Sequence, residues 1–130
     1  MAKRSRKQLK RDGTAGGRPA KLAAPTSDYT DPEGNVLTLR GSLSPASRIK
    51  YAQTLAGGER PAATLEDAWQ RAVEFLFERL AVSWEISGVK TDRQRELLAR
   101  LRASSSQERA WIRQVLREHC AEWFPDVQAP

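Results

Sequence analysis

The sequence predicts a mainly α fold: a small helical bundle of about four helices, preceded by a short β-hairpin and a disordered basic N-terminal tail. Three observations carry that expectation. Charge is divided unevenly along the 130 residues. Apolar residues recur at helical spacing from about residue 45 onward. A turn-forming run at residues 31–35 lies between two short extended segments.

Residues 1–25 hold eight Lys and Arg against a single Asp, a net +7, whereas residues 26–130 hold 14 against 15, a net −1. The basic character therefore belongs to the tail, and the rest is nearly neutral. The tail has almost no large apolar side chains, so burial cannot offset the entropy of ordering it, and disorder is expected over 1–25. Residues 26–130 are expected to form one helical domain. Its first element is a hairpin over about 28–41. Asp31-Pro32-Glu33-Gly34-Asn35 is turn chemistry, with Pro fixing φ and Gly supplying positive φ. Val36 to Arg40 alternates, with Leu37 and Leu39 on one face.

Four helices are expected after it, at about 45–56, 65–87, 92–103 and 107–123. Ser44-Pro45 reads as an N-cap followed by proline at the first helical position. Ile49, Ala52, Leu55 and Ala56 form the stripe of the first helix, which Gly57-Gly58 ends. Thr64 and Asp67 resemble a capping box for the second. Its apolar face, from Leu65 to Trp84, covers more than half the circumference, so this helix should be the central spine and end at Gly88. Thr91–Gln94 and Ser105–Glu108 read as further boxes. The last helix carries Ile112, Val115, Leu116 and Trp123 along its seam, and Pro125 stops it.

The chain has one His and one Cys. They are adjacent, at 119 and 120, and neighbours on a helix diverge by about 100°, a poor arrangement for a Cys–His pair. Tetrahedral metal sites need more ligands of these types. The carboxylates of residues 28–33 lack calcium-loop spacing, and the tail glycines lack phosphate-loop spacing. No catalytic, cofactor-binding or metal-binding residue is predicted, and the expectation is a protein without enzymatic activity or a small-molecule substrate. The lone Cys fits a reducing compartment. No apolar run approaches membrane-spanning length and no secretory signal pattern is present, so a cytoplasmic protein with no membrane partner is expected.

Two binding chemistries remain. Lys3, Arg4, Arg6, Lys7, Lys10 and Arg11 place six cations in nine residues, and Arg18 and Lys21 follow. Such an arm is expected to contact nucleic acid or another polyanion non-specifically, through release of counterions. Gly17-Arg18-Pro19 with Lys21 resembles the second half of an AT-hook core. Gly16 stands where the first core Arg would be, so the default reading of this stretch is a hinge. On the last helix, Arg109, Arg113 and Arg117 stack at a spacing of four. They form a candidate anion surface, continuous with Arg95 and Arg102, unless carboxylates on neighbouring helices take them up; Glu66, Glu74, Glu78 and Glu118 are available, and such runs are usually solvated faces. The alternative function is a protein–protein adaptor or homo-oligomer that uses the helical body, with the tail only solubilising. Trp111, one position off the last helix's seam, is its candidate interface residue, and the Val36–Arg40 strand edge could pair with another chain.

Overall fold

The structure, a computed structural model, describes residues 25–57 and 64–130. The described residues form β1 (Thr26–Thr30), β2 (Val36–Arg40), α1 (Pro45–Leu55), α2 (Leu65–Leu80), β3 (Ala81–Ile86), β4 (Val89–Thr91), α3 (Gln94–Arg102) and α4 (Ser106–Trp123). The four strands make one antiparallel sheet in the order β1-β2-β3-β4. The expected helical bundle with a hairpin in front of it is thus corrected to an α+β architecture.

The correction turns on residues 81–91. The spine helix α2 stops at Leu80 instead of reaching Ser87, and Ala81 opens β3 with no intervening loop. From Ala81 the sequence alternates, with Val82, Trp84 and Ile86 interleaved by Ser83 and Glu85, a period-two pattern rich in strand-forming side chains. Gly88 does not end a helix. Ser87 and Gly88 both have positive φ, 53° and 79°, the combination a tight two-residue hairpin turn needs. The Ser87 backbone N–H donates to Asn35 Oδ1 at 3.0 Å, tying this turn to the β1–β2 turn.

β3 is an interior strand, paired with β2 on one side and β4 on the other. A lone two-stranded hairpin is marginal in water, and the added strands supply what it lacks. Val36–Arg40 is interior as well, so that edge is closed to another chain; the edges are β1 and β4. Leu37, Leu39 and Trp84 are buried on the sheet, and Leu37 lies opposite Trp84. The other face of β1 and β2 is polar, where the Thr38 hydroxyl donates to Asp28 at 2.7 Å.

Local chemistry starts the helices. Ser44 accepts from the Ser47 N–H with Pro45 at the first helical position. Thr64 accepts from the Asp67 N–H. Ser105 and Glu108 form a reciprocal capping box. Thr91 plays no such part: α3 begins after Arg93 without a side-chain cap, and the Gln94 amide donates instead to the Glu78 carbonyl at 2.9 Å.

The core is centred on α2, whose Ala72, Leu76, Phe77 and Leu80 are fully enclosed. α1 turns a different face inward than its Ile49–Ala52 stripe suggests. Tyr51 is buried and Ile49 is 63% exposed. The segment after α4 explains this. Phe124 and Val127 are buried, Arg48 lies over the Phe124 ring and holds the Asp126 carboxylate with both oxygens at 2.9 Å, and the Tyr51 hydroxyl donates to the Gln128 carbonyl. Residues 124–128 therefore close the core over α1.

One glycine is fixed by a close approach. A Cβ on Gly41 would lie 2.8–3.0 Å from the six-membered ring of Trp123. That ring is tethered by its Nε1–H, which donates to the Ser27 hydroxyl at 3.1 Å. Gly41→Ala is expected to destabilise the fold by about 1–3 kcal/mol, the usual cost of overpacking. Equilibrium urea unfolding of the full chain checks this, and an unchanged midpoint would contradict the packing described.

Candidate functional site

The chemistry-bearing residues of the folded part converge on α4. Its capping box fixes where the helix starts, and 100° per residue then assigns each side chain to a flank. Ile112, Val115, Leu116, His119 and Cys120 face inward and are buried. Arg109, Arg113 and Arg117 lie along one flank. Glu108 and Trp111 lie toward the other.

The inward face contains the one histidine, fully enclosed. His119 Nε2 lies 2.8 Å from the Arg40 carbonyl and Nδ1 lies 2.8 Å from the Tyr29 hydroxyl. A carbonyl only accepts, so Nε2 carries a proton; Nδ1 accepts from the Tyr29 hydroxyl in the neutral ring and donates to it in the protonated one. The imidazole clips both β1 and the end of β2 to α4. Burial holds its pKa below the usual histidine value, against the opposing pull of the Arg40 carbonyl and Glu122. Beside it, burial pushes the Cys120 thiol up to about 11. Both residues serve packing, and neither is set up to activate the other.

Among the described residues, no Asp or Glu side chain pairs with the arginine flank. The ion pairs among the described residues lie elsewhere: Arg48–Asp126, Arg100–Glu108 and Arg102–Glu74. Arg109 instead donates to the Arg102 carbonyl at 2.7 Å, capping the C-terminal end of α3, and Arg117 donates to the Pro130 backbone oxygen at 3.0 Å. The Nε atoms of Arg109 and Arg113 are buried without an acceptor. The Arg102 carbonyl satisfies a donor of Arg109 but leaves its positive charge uncancelled. The stripe is not continuous with Arg102, whose guanidinium is taken by Glu74 at 3.0 Å. Glu118, a candidate partner by sequence, accepts from Gln114 at 3.1 Å.

On the other flank Trp111 is half-buried and lines an open cleft of about 290 Å³ with Trp84, Glu108, Asp31 and Glu33. The β1–β2 turn supplies the last two. Asp31 Oδ1 accepts from the Glu33 and Asn35 N–H groups at 2.8 and 2.9 Å, and Oδ2 accepts from the Asn35 amide at 2.9 Å. Asp31 thus shapes the turn and leaves Glu33 exposed at the rim. Arg100 stands over the Trp84 ring at 5.1 Å and pairs with Glu108 at 2.6 Å. Trp84 Nε1 is buried with no partner.

Lys3, Arg4, Arg6, Lys7, Lys10, Arg11, Arg18 and Lys21 lie outside the described residues. Of the residues singled out by sequence, Arg109, Arg113, Arg117 and Trp111 are brought onto one helix but onto different flanks. Sequence reasoning missed the cleft. Trp84 reads as helix core and Asp31 and Glu33 as a turn, and no local signal joins them to Trp111. Among the described residues, no cluster of three metal-ligating side chains occurs and no helix is long and apolar enough to cross a membrane. Comparison with protein-family models, curated proteins and solved structures returned no match.

The buried imidazole makes stability depend on pH. Its folded pKa lies below the unfolded value of about 6.5, so the unfolded chain takes up a proton first as pH falls. The stabilisation is complete above about pH 6.5 and is lost progressively below it, toward the depressed folded value. His119→Gln is expected to remove that component, and because it disturbs the contacts to Tyr29 and the Arg40 carbonyl it should also cost roughly 1–3 kcal/mol at neutral pH. Urea unfolding between pH 5 and 8 checks both effects; equal slopes for the two proteins would contradict the neutral, enclosed imidazole. Cys120 provides an independent readout. Its thiol should resist alkylation in the native protein and react at the rate of global opening, because the thiolate is the reactive form and is disfavoured here.

Proposed function

We propose that this protein binds a polyanion, with nucleic acid as the class of partner, through its basic N-terminal arm and without enzymatic chemistry. The carrying observation is the division of charge: +7 over residues 1–25 against −1 over residues 26–130. Lys3, Arg4, Arg6, Lys7, Lys10 and Arg11 are the main contacts, with Arg18 and Lys21 secondary. Arg113 on α4 offers a second contact on the folded part, because no Asp or Glu among the described residues pairs with it. Arg109 is assigned mainly to capping α3. The single cysteine supports a cytoplasmic location.

The test is a salt titration of binding to AT-rich and GC-rich duplexes by the full chain. Neutralising about six phosphates predicts a slope of log K against log salt of roughly −5. Replacing Lys3, Arg4, Arg6, Lys7, Lys10 and Arg11 with Gln should abolish most of that slope. Arg113→Gln should reduce it by about 1 if that residue contacts a phosphate. A preference for the AT-rich duplex that Arg18→Gln removes would assign a minor-groove role to Gly17-Arg18-Pro19. Absence of binding by the full chain near physiological salt would refute the reading.

A further inference from the structure

We propose that β1 is a self-pairing edge: two copies of this chain join through antiparallel β1 strands, so that their sheets continue into one across a two-fold axis. This goes beyond the polyanion reading, which gives the sheet no role. The pairing inside the molecule decides which backbone groups β1 offers. The Gly41 N–H donates to the Pro25 carbonyl at 2.7 Å and the Asp31 N–H to the Asn35 carbonyl at 2.9 Å. The register between them is unbroken, with Ser27 opposite Leu39 and Tyr29 opposite Leu37. Hydrogen-bonded pairs alternate along an antiparallel ladder, so Ser27 and Tyr29 spend their backbone groups on β2. Thr26, Asp28 and Thr30 turn theirs away from it. These three residues are exposed, and among the described residues no hydrogen bond reaches those outward groups.

The two edges of the sheet are not alike. β4 has three residues with Lys90 at its centre, and shortness and a lysine both protect an edge. β1 has five residues, TSDYT, without Lys, Arg or Pro. Its ladder also has no bulge, unlike the one between β2 and β3. Charge favours a second β1 as the occupant. Residues 26–130 carry only −1, so two folded parts repel weakly, while each arm carries +7. Antiparallel strands send the two arms away from opposite ends of the joint, whereas parallel strands would set them side by side.

The side chains select the register. A two-fold axis at Asp28 would set two carboxylates directly opposite, a destabilising pair. An axis at Tyr29 would set Thr26 against Pro32, which has no N–H. An axis at Ser27 sets Thr26 opposite the partner's Asp28 on both sides, for about four hydrogen bonds between the copies. Pro25 then falls opposite the partner's Tyr29, where its backbone faces β2, so its missing N–H costs nothing. Asp28 already accepts from one threonine across the sheet, Thr38, at 2.7 Å, and the partner's Thr26 stands on its other side.

The test is sedimentation equilibrium of the full chain, free of nucleic acid and at high salt, where the arms are screened. The expected result is a monomer–dimer equilibrium with a Kd on the order of 0.1–1 mM, as suits a small interface. Asp28→Pro removes an outward N–H without breaking the β2 ladder and should weaken the dimer about 10-fold or more. A Cys120 thiol that stays unreactive shows that this variant is folded. Ser27→Cys gives a readout independent of that variant. At the axis the two thiols form a close, non-hydrogen-bonded pair. Mild oxidation should therefore trap covalent dimers at least about 10-fold faster than for Thr30→Cys, whose copies lie far from the axis. A monomer at every concentration up to about 1 mM would overturn the proposal. An unchanged Kd in folded Asp28→Pro, or equal trapping of Ser27→Cys and Thr30→Cys, would also overturn it. No nucleic acid enters these experiments, so their failure and that of the polyanion reading are distinguishable.

Discussion

Both nitrogens of one enclosed imidazole hold the sheet to the last helix. His119 ties the edge strand through Tyr29 and the neighbouring strand through the Arg40 carbonyl. Those two points lie near opposite ends of the hairpin, so the pair fixes its position along α4 as well as its distance from it. The Tyr29 end leads directly into the Asp31–Asn35 turn, which forms one wall of the cleft. The Arg40 end leads into Gly41, where Trp123 packs against the backbone. The same enclosure that makes these two contacts also depresses its pKa.

Much of the helical part was legible because its signals are local. Ser44, Thr64 and Ser105 each act on an N–H three residues away, within reach of any sequence window. Residues 81–88 were not legible for the opposite reason. Leu76, Leu80 and Trp84 recur every four residues and extend a helical seam, while Val82, Trp84 and Ile86 recur every two and make a strand. Trp84 satisfies both periods. Gly88, with positive φ, suits either a helix end or a tight turn. The choice is made by backbone pairing with β2, roughly 45 residues earlier in the chain, which periodicity cannot register. The buried tail from Phe124 to Val127 escaped for a related reason: its partners Arg48 and Tyr51 lie on α1.

The candidate site divides along the same line. The spacing of Arg109, Arg113 and Arg117 placed them on one flank, and the off-seam position of Trp111 marked it as different from its neighbours. What the spacing could not supply was partners. Arg48, Arg100 and Arg102 meet carboxylates, while Arg109 meets a backbone carbonyl. That distinction decides where charge survives on the folded part. The nearly neutral total conceals a separation, with carboxylates gathered at the cleft and uncancelled guanidinium groups on the far flank of α4.

The separation has a definite length scale. A helix with its side chains is about 10–12 Å across, and the Debye length at physiological ionic strength is about 8 Å. Charges on opposite flanks of α4 therefore interact weakly through solvent, and an anion on one flank need not repel or recruit a cation on the other by direct electrostatics. Coupling between them would have to pass through α4 itself. Its N-terminal end is fixed by the Ser105–Glu108 box, in which Glu108 also receives Arg100. Arg109, the next residue, holds the end of α3. Glu108 and Arg109 thus join the two flanks covalently, one serving the cleft and the other the arginine stripe. A helix anchored this way at its start and by His119 near its end is a rigid divider between two surfaces of opposite charge.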